Sequence, residues 1–95
     1  MLTRDSTMTQ IPKQLHTLFW DVNIASFDPL EHPRYTISRV LELGDKEAIT
    51  WMKEHFTESL IEETLKVETR LSPKSANFWA IIFGVPFNEV AALKH

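Results

Sequence analysis

Leu71 to Val85 reads LSPKSANFWAIIFGV, and the fold class is decided in this stretch. It opens on a start signal. Ser72 suits an N-cap, and Pro73 suits the first helical position, where its missing N–H would have no partner anyway. It closes on Gly84, followed by Val85-Pro86, a pair that forces extended backbone. Between the signals stand Phe78, Trp79, Ile82 and Phe83, which with Ile81 wrap most of the helix. A helix apolar on nearly every side is either central to a fold or covered by a second protein. The reading here is a core helix whose excess apolar surface is a candidate partner-binding site at Phe78, Trp79, Ile82 and Phe83.

Working outward, the same punctuation recurs. Thr57 suits the cap of a helix with Leu60, Thr64, Val67 and Leu71 on one face, and Ile61 and Leu65 beside them. Its outer face carries Glu58, Glu62, Glu63 and Lys66. Upstream, Asp45 suits the cap of a helix from Lys46 to Phe56, in which Ala48, Ile49, Trp51, Met52, His55 and Phe56 share a sector of about 160°. Gly44 reads as the C-terminal stop of a helix that starts at Pro33, just after Glu31 and His32, and buries Ile37, Val40 and Leu41. Pro12 begins a short helix with Leu15, Leu18 and Phe19 on one face and Trp20 packing where it ends. Residues 21–31, DVNIASFDPLE, break the helical period and read as an ordered loop tacked to the core by Val22, Ile24, Phe27 and Leu30. Pro86 begins a last short helix through Leu93. The predicted fold is all-α, a compact bundle of about five or six short helices. It admits a helix-turn-helix-like tri-helical unit between Asp45 and Gly84. Residues 1–10 read as a flexible N-terminal segment, with Met1 and Met8 both eligible as the start, and residues 11–95 as one helical domain.

Composition narrows the function classes. With 95 residues, 43 % hydrophobic and 24 % charged, the chain has the make-up of one globular domain. Ten Lys and Arg against thirteen Asp and Glu give a net charge of -3, which is no electrostatic footprint for a phosphate backbone. There is no cysteine, hence no disulfide and no thiolate metal site. The first residues lack the apolar core of a signal peptide, and no run approaches the length of a membrane span, so a cytoplasmic location is expected. Only two glycines occur, too few for the turns of an all-β chain.

No constellation of catalytic residues stands out. His16, His32, His55 and His95 are scattered, without the i,i+3 or i,i+4 pairing that puts two ligands on one helical face, so no metal site and no cofactor are expected. Glu58, Glu62 and Glu63 sit on a solvated face with Lys66. No serine lies in a Gly-x-Ser-x-Gly elbow. The expectation is a protein that is not an enzyme. A DNA-binding regulator is the rival class, with Lys74, Ser75 and Asn77 at the N-terminal end of the Pro73 helix as the nucleic-acid contacts. Arg34, Arg39, Lys46 and Lys53 would lend charge if the fold gathers them. Three glutamates on the preceding helix oppose that reading.

Several stretches taken together carry a family resemblance: Leu18-Phe19-Trp20-Asp21-Val22, then Arg39-Val40-Leu41-Glu42-Leu43-Gly44-Asp45, then Trp51, then Leu71 through Trp79. Their order and spacing, from about Leu18 to Leu93, resembles a family of small prokaryotic proteins of unknown function. Such proteins look like the short upstream partners of AbiEii-type nucleotidyltransferase toxins in toxin–antitoxin operons. The resemblance implies an antitoxin-like role with a nucleotidyltransferase-like toxin as protein partner, and it brings no catalytic or ligand residues with it. A homo-oligomeric structural module is the third expectation.

Overall fold

The computed structural model describes residues 11–23 and 26–93, and among these it holds four α-helices and no strand. The predicted N-terminal segment, Ile24 and His95 lie outside the described residues. The helices are α1 (Pro33–Leu43), α2 (Lys46–His55), α3 (Glu58–Val67) and α4 (Pro73–Phe83). The caps fall where the sequence puts them. Asp45 accepts the N–H of Ala48, Thr57 that of Leu60 and Ser72 that of Ser75. At the other end of α4, Gly84 adopts φ 68°, and the N–H groups of Gly84 and Val85 close back on Ile81 and Ala80. This double closure is the Schellman arrangement, and its left-handed residue is the one position here that needs glycine for its φ.

The two outer helices of the prediction are not α-helices. Lys13–Phe19 is a 3-10 helix with no side-chain cap bond at Pro12. Seven residues support few i→i+4 bonds, and the tighter winding still buries Leu15 and Phe19 while Leu18 packs beside them. The stretch after Pro86 is two 3-10 turns, Phe87–Glu89 and Ala91–Leu93, separated by an extended Val90. That break lets Val90 enter the core, where it is fully buried. A further 3-10 turn, Pro29–Glu31, is capped by Asp28.

Buried apolar side chains form one cluster, drawn from all four α-helices, the first and last 3-10 segments and the loops between. Its hub is α1, which contacts each of the other three α-helices and the 3-10 segments ahead of it. The sequence reading had α4 at the centre; the structure places it at the flank. Only Ala76, Trp79 and Ala80 of α4 are buried, and the two alanines let its backbone come close to its neighbours. In the loop before α1, Phe27 is buried and Val22 packs against the core, whereas Leu30 is 42 % exposed and tacks nothing down. Val67 is likewise 42 % exposed, because α3 stops there instead of running on to Leu71.

Candidate protein-binding surface

The C-terminus of α1 and the N-terminus of α4 cap each other. The last carbonyls of an α-helix and the first N–H groups have no partner inside it. In α1, the carbonyl of Leu41 accepts the indole N–H of Trp79 at 2.8 Å, and that of Glu42 lies 3.5 Å from the Ser75 hydroxyl. In return, the Glu42 carboxylate accepts the N–H of Ser72 at 2.8 Å and the Ser75 hydroxyl at 3.2 Å. Burial alone would push the Glu42 carboxyl up; the bonds from Ser72 and Ser75 outweigh it and hold the group below the usual carboxylate range.

A second staple joins the end of the first 3-10 helix to α1. Asp21 accepts from the Tyr35 hydroxyl and the Arg39 guanidinium. That guanidinium lies 4.2 Å from the Trp20 ring centroid and 5.0 Å from that of Tyr35. The Tyr35 hydroxyl foremost, with Arg39, keeps the Asp21 carboxyl low, while burial and the bond to Asp21 raise Tyr35. Trp20 itself is 67 % exposed, not packed where the helix ends as the sequence suggests. The turn that ends the 3-10 helix carries it outward, and Arg39 covers one of its faces.

Glu68 makes the third. It is 4 % exposed, and its carboxylate takes the backbone N–H, Nε and a terminal nitrogen of Arg70. These bonds, led by the Arg70 side chain, hold its carboxyl below the usual range.

With the ends of α4 fixed, its outer face is set. Phe78, Ile81 and Ile82 are 52 %, 63 % and 53 % exposed, a cluster at i, i+3 and i+4 on one side of the helix. Of the four residues singled out as partner-binding, Phe78 and Ile82 lie on this face. Trp79 is buried and Phe83 half-buried, its ring stacked on that of Trp79, so these two form the floor beneath. Phe78 meets the Trp79 ring edge-on, with centroids 5.1 Å apart. Ile81 completes the patch. Residues of high apolarity on every side of α4 made it visible as surplus, but only the packing of α1 and α3 tells which side is left over. Beside the patch, Leu41, Ile49, Ser72, Lys74 and Trp79 line an open depression of about 460 Å³.

The remaining candidates are dispersed. Lys74 and Asn77 are exposed on the same side of α4, while Ser75 turns inward to Glu42. His16 donates to the carbonyl of Ile11, His32 stacks on Phe27, and His55 stacks on Trp51 and donates to its carbonyl. Among the described residues no three His, Asp or Glu side chains come together as metal ligands, and no helix is long and apolar enough to cross a membrane.

Residues 15–65 match the sequence model of a family of unknown function, DUF6922. Neither the curated proteins nor the solved structures contain a match to the chain.

Proposed function

The chain belongs to the DUF6922 family of unknown function, and from the surface its fold leaves open we propose that it is a non-catalytic protein-binding module. The observation that carries this reading is the apolar cluster of Phe78, Ile81 and Ile82, each more than half exposed. A small domain that keeps three large apolar side chains together on a doubly capped helix forgoes burial it has no internal surface to provide. Three outward carboxylates on α3 and a net charge of -3 suit a partner with a basic cleft. The finer proposal is an antitoxin-like protein of the cytoplasm that binds a nucleotidyltransferase-type toxin. It is supported by the resemblance of the Trp20, Glu42 and Ser72–Trp79 stretches to the upstream partners of such toxins. Co-expression with the product of the neighbouring gene, which this reading takes to be nucleotidyltransferase-like, tests both levels. The two are expected to co-purify and growth is expected to be restored; separate elution with no rescue would sink the proposal.

The rival reading, a DNA-binding regulator with a helix-turn-helix-like unit, draws on the exposure of Lys74 and Asn77 near the start of α4. Against it, the Glu42 carboxylate takes the Ser72 N–H and the Ser75 hydroxyl at the helix start where a phosphate would dock. Gel shifts on the upstream operator across a salt series separate the classes. Retardation that weakens steeply with salt would favour DNA. A homo-oligomeric module, the third reading, would sediment as a stable dimer without any partner.

A further inference from the structure

We infer that α4 is the inserted element of the complex and not its receptor: Phe78, Ile81 and Ile82 enter an apolar groove on the partner, and the rim of that groove is acidic where it meets Lys74. The inference rests on the protein-binding reading above and adds the kind of surface that the partner must present.

Shape is the first argument. Anchors at i, i+3 and i+4 are the pattern by which a helix lies in a groove. Each of the three protrudes, with more than half of its surface open, while the opposite side of α4 is held by Ala76, Trp79 and Ala80. Area is the second. The three half-open side chains offer roughly 300 Å², judged from the 150–250 Å² that a large aromatic buries. A standard interface buries about 800 Å² per partner. Two copies of this convex stripe set face to face stay far below that figure. A concave partner reaches it by wrapping the flanks of α4 and filling the depression beside Phe78.

Charge gives the orientation. No Asp or Glu occurs between Pro73 and Phe83, and the sole charged side chain there is Lys74, one turn before Phe78 on the same side. An acidic rim at that end is complementary and a basic one is disfavoured, so the basic cleft proposed above faces the α3 carboxylates and not this end of α4. Finally, α4 is preformed. Ser72 and Glu42 secure its N-terminus and the Gly84 closure its C-terminus, so docking need not order the helix.

The test titrates the full chain against the neighbouring-gene product of the co-expression experiment by calorimetry, in low and high NaCl. Phe78→Asp and Ile82→Asp are each expected to weaken binding at least tenfold. Lys74→Glu should weaken it several-fold and flatten the salt dependence, whereas Trp20→Ala, away from α4, should bind like the wild type. Circular dichroism and urea midpoints of the variants, all at exposed positions, verify that they fold. If the wild type binds and the α4 variants bind equally well, the inference is overturned while the protein-binding reading stands. No binding by the wild type removes both. A wild-type dimer in sedimentation that Phe78→Asp dissociates would make a second copy the occupant and overturn the groove.

Discussion

Glu42 serves two helix ends with one carboxylate, accepting from the Ser72 amide and the Ser75 hydroxyl while its own helix terminates beside it. Replacing it by glutamine keeps an acceptor but removes the charge, and the expected loss at neutral pH is about 1 kcal/mol in urea unfolding. Glu42, Glu68 and Asp21 all sit below their ordinary ionisation range when folded. A depressed carboxylate contributes stability that is full above its unfolded pKa and disappears as pH falls through the folded one. The urea midpoint should therefore be level from neutrality down to about pH 5, decline below about pH 4, and decline less in Glu42→Gln. Gly44 shows what a single position hides from sequence. It reads as a helix stop and is one, but its φ is -72°, an ordinary value for any residue. Glycine is required there by space: an added Cβ would stand 2.6 Å from the Val40 carbonyl oxygen and 2.9 Å from its side chain. Gly44→Ala is expected to destabilise by about 1–3 kcal/mol through overpacking. Gly84→Ala, which meets no atom within 4 Å, should cost about 1 kcal/mol for its positive φ alone. Thermal unfolding of the two variants compares them.

At the level of elements, the α-helix starts are legible in the sequence, as are the ends at Gly44 and Gly84, whereas the end of α3 is not. Asp45, Thr57 and Ser72 are caps because a short polar side chain reaches an amide two or three residues on, and that chemistry is written locally. Losing the Ser72 hydroxyl in Ser72→Ala should lower stability by about 1 kcal/mol. The end of α3 carries no glycine or proline. It is made by Glu68, whose extended backbone and buried carboxylate fold Arg70 back onto it. Such a turn depends on the carboxylate being shielded from water, which depends in turn on the rest of the molecule. Although Arg70 is an exposed side chain, Arg70→Ala is expected to lower the urea midpoint by stripping the Glu68 carboxylate of its side-chain partner. Pairing it with Glu68→Gln should recover part of that loss, which a double-mutant cycle in urea would read out.

Across the whole molecule, three of the four stretches that carry the family resemblance, all but Trp51, turn out to be one connected system. Asp21 and Trp20 hold Arg39; Leu41 and Glu42 hold Trp79, Ser72 and Ser75. The all-helical class was legible from periodicity and punctuation. That α1 and not α4 forms the hub was not, because both helices carry apolar residues and only their mutual arrangement ranks them. The same arrangement predicts that the α4 surplus is dispensable for folding. Serine at positions 78, 81 and 82 together is expected to leave the chain folded with a loss of at most about 1.5 kcal/mol in urea unfolding, since exposed substitutions away from caps and core usually stay within about 0.5 kcal/mol each. The bonds between α1 and α4 span 30 to 38 residues of sequence. Divided near residue 69, the chain would yield a long piece whose α1 terminus has lost its cap and a short piece whose apolar helix has lost its support. Neither piece should unfold cooperatively alone. Mixed, they should find each other and regain the near-ultraviolet signal of a packed Trp79, which makes this junction a natural place to split the protein into a reassembling pair.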